Sequence, residues 1–162
     1  MPDSRLKAMN ATSLLRDDHK RFKELLRKYE KLSDEEVEQK EDIFAMLKAE
    51  LDDHATIEEE IFYPATREVQ VAGAGEIVEA AVEEHAIVRT LLEELSELEA
   101  GDVEFEAKMK VLKENVEHHA HEEEMEVFPL FRKLPHERQD EVSERLRARK
   151  FELSEGDWDD GA

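Results

Sequence analysis

Two stretches of the chain place a glutamate four residues after a histidine: His54 and Glu58 in Asp52-Asp53-His54-Ala55-Thr56-Ile57-Glu58, and His119 and Glu123 in His118-His119-Ala120-His121-Glu122-Glu123. A helix turns once in about 3.6 residues, so side chains four apart share a face and can grip the same metal ion. Each stretch then runs into an aromatic residue and a proline, Phe62-Tyr63-Pro64 and Val127-Phe128-Pro129. Aligned on those prolines, His54 falls on His119 and Glu58 on Glu123, both pairs 65 residues apart. Two matched pairs predict a site for two metals.

The elements that must carry these pairs can be read from the apolar spacing. A first helix, capped by Asn10, Thr12 or Ser13, shows the seam Leu15, His19, Phe22, Leu25 or Leu26, Tyr29 and Leu32. Ser33-Asp34-Glu35-Glu36 has the form of a helix start, and the seam of that second helix is Val37, Phe44, Leu47, Leu51, His54, Glu58 and Ile61. Pro64 should end or kink that helix, and Ala72-Gly73-Ala74-Gly75 reads as the loop between two halves. A third helix, from about Glu76 to Ala100, carries Val78, Ala81, His85, Val88, Leu92 and Leu95, with Gly101 suited to its C-terminal cap. The fourth, capped by Asp102, carries Phe105, Met109, Leu112, Val116, His119, Glu123, Val127 and Leu130.

The halves also match at their first helices. Asp17-Asp18-His19 with Leu25-Leu26 corresponds to Glu83-Glu84-His85 with Leu91-Leu92, His19 and His85 being 66 residues apart. An internal repeat of helical hairpins predicts an all-α, antiparallel up-down four-helix bundle. A short fifth helix, about His136 to Lys150, is expected across one end. We expect one domain over residues 1–150, with 151–162 an acidic, frayed tail whose one anchor is Trp158.

Six polar residues thus fall on buried seams: His19, His54, Glu58, His85, His119 and Glu123. Burying them without a shared partner costs several kcal/mol per charged group, and a pair of metals is the simplest compensation. Four imidazoles and two carboxylates suit iron, manganese or zinc better than calcium or magnesium. With both glutamates bridging, each metal gains two nitrogens, two oxygens and room for a bridging oxo or hydroxo group.

Composition narrows the partners. With 44 acidic and 23 basic side chains the formal charge is -21, a field that repels nucleic acid and anionic membranes. Cysteine is absent, which removes disulfides, thiolate nucleophiles and cysteine-bound zinc or iron-sulfur clusters. No run of residues reads as a signal peptide or a membrane span, so a cytoplasmic protein is expected.

The pattern His, His-x-x-x-Glu, His, His-x-x-x-Glu over about Thr12 to Leu134 resembles the hemerythrin-like family, the HHE cation-binding domains, of the bacterial type with four His and two Glu. The resemblance implies a hemerythrin-like four-helix bundle in which the same six residues bind two irons joined by an oxo or hydroxo bridge. Ferritin-like bundles differ, since their pairs are Glu-x-x-His at three-residue spacing. Oxygen-carrying hemerythrins have a further His four residues after the third-helix His, where this chain has Arg89. Relatives with this ligand set are similar to peroxide-decomposing (catalase-like) or nitric-oxide-handling proteins. The family also implies two alternatives: a non-catalytic sensor of oxygen, nitric oxide or iron, and an iron donor for repair of iron centres. The ligand would be a small diatomic molecule or peroxide, and the protein a monomer or weak dimer.

Other polar residues near the seams are assigned outside the ligand set. His118 and His121 are expected to face solvent or partners outside the ligand set; Glu59, Glu60, Glu122 and Glu124 could orient ligating imidazoles or line an iron path, but an exposed acidic face is the expected role. Tyr63 could approach the site; Tyr29, about 15 Å along the axis from His19, is expected in the core.

Overall fold

The Asn10 side chain accepts a hydrogen bond from the Ser13 N–H at 2.9 Å, and helix α1 (Ala11–Glu30) starts there. The computed structural model describes residues 9–159, with side chains to residue 155. Arg27 and Lys28 in the last turn of α1 complement its dipole. The Ser33–Glu36 segment forms a turn, not a helical start: the Glu36 carboxylate accepts from the Ser33 N–H and hydroxyl, and α2 begins after it (Val37–Ile57).

Helix α2 does not break at Pro64. It widens into one π-turn (Glu58–Phe62) and regains α-helical form over Tyr63–Thr66. The Tyr63 N–H reaches back five residues to the Glu58 carbonyl. A proline lacks the N–H and crowds the carbonyl four residues before it, and a wide turn just ahead accommodates both defects. Helix α4 (Val103–Glu122) repeats the device, with a π-turn (Glu123–Val127) leading into Phe128–Phe131. The two π-turns begin at the two glutamates of the paired motifs.

Helix α3 (Ala74–Ser96) begins earlier than its sequence suggests, because Gly73 adopts a left-handed conformation (φ 85°) and turns the chain directly into it. Helices α1 and α2 form one hairpin and α3 and α4 the other, and α1 also packs on α4. The expected bundle is thereby formed. Among the described residues there is no strand and no helix long and apolar enough to cross a membrane.

Helix α5 (His136–Asp159) lies against α1 and α2. It runs past Lys150, so residues 151–159 are helical where the sequence suggests a frayed tail; Leu153 packs against the core and extends the docked face. The Trp158 side chain lies outside the described residues. Val142 and Leu146 of α5 are fully buried, and the Ser143 hydroxyl accepts from the Ala11 N–H at 2.8 Å.

The core falls into two apolar clusters separated by a polar layer. One, at the α5 end, includes Leu14, Ile61, Phe62, Phe128, Phe131 and Leu146. The other includes Phe22, Leu47, Leu51, Leu92, Leu112 and Val116. On α2 the seam expected from sequence is partly shifted, with Ile43 and Ile57 buried and Val37 and Phe44 only half-buried. Lys40 is buried over the Tyr29 ring of the second cluster, where no apolar pattern foretells it, its ammonium 2.9 Å from Glu106. Glu106 accepts from the Tyr29 hydroxyl as well, at 2.9 Å, so Tyr29 is a core residue with a polar tip, far from the central layer.

Leu112 is fully buried in the second cluster. Leu112→Ala should lower the unfolding free energy by about 2–5 kcal/mol, the usual cost of a leucine-sized cavity, with the polar layer intact. Urea unfolding followed by circular dichroism checks this.

Candidate metal centre

The polar layer contains all six residues singled out by the repeat. His19 on α1, His54 on α2 and the two glutamates form one group whose donor atoms lie within 4.8 Å of one another. Glu58, His85 on α3, His119 on α4 and Glu123 form a second. The glutamates, at 0% and 1% exposure, belong to both. Glu123 spans the groups, Oε1 lying 3.1 Å from His19 Nε2 and Oε2 3.4 Å from His119 Nε2. Glu58 Oε1 sits between His54 Nε2 at 3.1 Å and His85 Nε2 at 2.9 Å.

Outward-facing Nδ1 atoms of the imidazoles meet a second set of acids, and this set obeys the repeat. The residue before each first histidine serves the second histidine of its own hairpin: Asp18 lies 2.8 Å from His54 Nδ1, and Glu84 lies 3.7 Å from His119 Nδ1. The residue after each glutamate serves the first histidine of the other hairpin: Glu124 to His19 at 2.9 Å, Glu59 to His85 at 3.1 Å. Such partners fix ring orientation and make the other nitrogen a better donor. Behind them stand bases, Lys150 on Asp18, Arg16 on Glu124 at 3.2 Å and Arg89 on Glu59 at 2.9 Å.

Tyr63 enters the centre. The turn that widens α2 brings its hydroxyl within 2.6 Å of Glu123 Oε2, 3.3 Å of Glu58 Oε1 and 3.2 Å of His85 Nε2. Its counterpart in the repeat, Phe128, has no hydroxyl and stacks parallel to His19 at 6.1 Å between ring centres. Beside the four imidazoles is a cavity of about 30 Å³ walled by Phe22, Leu51, Val88, Leu92 and Val116. That is room for at least one water-sized molecule.

The family model of the hemerythrin HHE cation binding domain matches residues 10–131. The chain belongs to this family. It is similar to the crystal structure of a hemerythrin HHE cation binding domain-containing protein from Mycobacterium kansasii, with 28% identity, a TM-score of 0.76, and coverage of 90% of this chain and 87% of that one. A search of curated proteins gives no match.

The donor atoms of this HHE domain fit the cation-binding role of its family. His19 Nε2, His54 Nε2, Glu58 Oε2 and Glu123 Oε1 are buried and have no hydrogen-bond partner. Buried polar atoms are almost always paired, and a cation is the partner that would satisfy nitrogen and carboxylate acceptors at once. Protons compete for the same atoms. Burial opposes charge on His54, but the Glu58 carboxylate and the Asp18 hydrogen bond outweigh it and lift its pKa to about 10. Burial likewise opposes charge on His119 and His85, yet Glu123 in the first case and Glu58 in the second raise both above the ordinary imidazole value. Burial would raise the Glu58 pKa; the charge of His54 holds it well below the usual range. Burial and the two glutamates keep the Tyr63 phenol protonated far above its usual pKa.

Several of these residues stand apart from the sequence expectations. Glu59 and Glu124 take the less expected of their two roles and orient rings, instead of forming part of a solvated face. Asp18 and Glu84 are visible in the sequence as acids repeated before His19 and His85, but nothing there says which ring each would meet. Glu60, by contrast, points outward to Arg149 at 2.9 Å. His118 is 66% exposed, 3.8 Å from Glu84, and His121 is exposed, so neither joins the donor groups.

Imidazoles that hold protons at neutral pH must surrender them to a cation. Adding Zn2+ to metal-free protein at pH 7 in weak buffer should release at least one proton per chain. Apparent affinity should climb as pH rises from about 6 towards 10, by up to about tenfold per unit for each proton displaced. Calorimetry in buffers of different ionisation enthalpy measures both.

Proposed function

We propose that this HHE domain holds two iron ions, one in each donor group, with Glu58 and Glu123 shared and an oxo or hydroxo bridge between them, and that it reacts with hydrogen peroxide in a catalase-like manner or takes up nitric oxide. His19, His54, Glu58, His85, His119 and Glu123 are the ligands in this reading. The observation that carries it is the cavity of about 30 Å³, apolar on its far wall and bordered by all four imidazoles. It admits a diatomic molecule or peroxide beside the imidazoles.

When bound, an iron pair supplies ferrous-ferric redox chemistry toward peroxide and an attachment point for nitric oxide. The chain does the rest. The acids Asp18, Glu59, Glu84 and Glu124 aim the imidazoles, and Phe22, Leu51, Val88, Leu92 and Val116 give the cavity an apolar wall. Tyr63 holds a proton on its hydroxyl at the shared carboxylates, where it can donate a hydrogen bond. The reading takes the protein as cytoplasmic, acting as a monomer or weak dimer.

A second reading, a sensor, is favoured by one contact. Lys150 of α5 pairs with Asp18, which orients His54, so the fifth helix is joined to the centre through a single carboxylate. A change at His54 would be felt in α5. Iron donation fits the same ligands without using that contact.

Iron-reconstituted protein should carry two irons per chain and release oxygen from hydrogen peroxide in a sustained reaction. His54→Ala and Glu123→Ala should each lose bound iron and turnover together while keeping helical content. Full activity and two irons in either variant would refute the ligand assignment. Bound iron without turnover, accompanied by altered hydrogen exchange in α5 on addition of nitric oxide, would favour the sensor.

A further inference from the structure

The two halves of the centre are built on one repeat, yet they are not equivalent. In the His19/His54 half each metal-facing nitrogen lies 3.1 Å from one carboxylate oxygen, Glu123 Oε1 or Glu58 Oε1, out of hydrogen-bond alignment, and no hydroxyl reaches them. In the His85/His119 half a hydroxyl, that of Tyr63, stands among the corresponding atoms. His85 Nε2 lies 3.1 Å from His119 Nε2, and the Tyr63 hydroxyl meets His85 Nε2, Glu123 Oε2 and Glu58 Oε1. Phe128 at the equivalent place beside His19 offers no hydroxyl to do the same.

Outer support differs at one ring of the second half, His119. His54 and His19 are held at 2.8 and 2.9 Å by Asp18 and Glu124, each backed by a base. His85 is held by Glu59 at 3.1 Å, itself backed by Arg89, but His119 Nδ1 is 3.7 Å from Glu84, which no lysine or arginine among the described residues backs, and both His119 Nδ1 and Glu84 Oε2 are left unpaired. Outer partners of this kind are worth roughly 10–100-fold in metal affinity. One half is firmly aimed and lacks a hydroxyl; the other is looser at His119 and holds the Tyr63 hydroxyl.

From this asymmetry we infer that the protein binds one divalent first-row cation tightly at His19/His54 and a second, readily exchanged one at His85/His119, with Tyr63 as the group that satisfies the second position when it is empty. The inference rests on the reading that the six residues hold two cations. It gives the protein a stable one-cation state. Tyr63 is a positioning group of the empty form: its hydroxyl replaces the lost cation as the partner of Glu123 and His85. Lys150, from α5, acts on the tight position alone through Asp18.

The test is an anaerobic titration of the metal-free full chain with Co2+, monitored by its visible bands and by competition with a chelator. Uptake should proceed in two steps separated by at least about tenfold in affinity. Lys150→Met and Asp18→Asn should weaken the first step by roughly 10–100-fold, and Glu84→Gln should alter the second only. Tyr63→Phe should strengthen the second step by roughly tenfold, because the empty position then leaves buried acceptors unpaired. Two ions entering in one concerted step, a first step sensitive to Glu84→Gln and indifferent to Asp18→Asn, or a second step weakened or unchanged in Tyr63→Phe would overturn the inference. No uptake of Co2+ by the intact chain would instead overturn the two-cation reading beneath it.

Discussion

Two carboxylates buried among four imidazoles are the constraint that the rest of this protein answers. Removing charged groups from water costs several kcal/mol each unless partners compensate, and Glu58 and Glu123 are both inaccessible to solvent. Compensation runs outward in shells: imidazoles around the glutamates, acids around the imidazoles, bases around the acids. Lys150, Arg16 and Arg89 bring the last shell to the surface. The apolar clusters on either side insulate this layer and hold the four helices in register.

The same shells lock the two hairpins together. Asp18 and Glu84 stay within their own hairpins, whereas Glu59 and Glu124 reach across to His85 and His19. Each hairpin therefore completes the other's histidines as well as sharing the glutamates. The π-turns make this possible. An added residue in the turn after each glutamate re-aims the side chains beyond it, which is how Tyr63, five residues after Glu58, faces the same centre.

The bundle and the six central residues are legible in the sequence because each is written twice: once as a polar residue at an apolar seam position, and again 65 or 66 residues away. Glu59 and Glu124 are not. They lie on helix flanks in a chain with 44 acidic side chains, so composition gives them no contrast, and only tertiary contact distinguishes them from Glu60 and Glu122. Pro64 and Pro129 mark the π-turns, but a proline reads equally well as a break, and whether a helix stops or widens depends on what lies beyond. Here Phe62, Ala65 and Phe131 are wholly or almost wholly buried, and packing carries both helices through. The length of α5 is hidden for a similar reason, since Leu153 gains its meaning only from the core it meets.

Tyr63 has a further use for anyone studying the molecule. The chain contains only two tyrosines, and the other, Tyr29, has its hydroxyl on Glu106 in the apolar half beyond the centre. Ultraviolet absorption by a phenol shifts with the hydrogen bonds its oxygen makes. The tyrosine band therefore contains one component from within the centre and one constant background, so the protein carries its own optical gauge of what occupies the space between Glu58, His85 and Glu123.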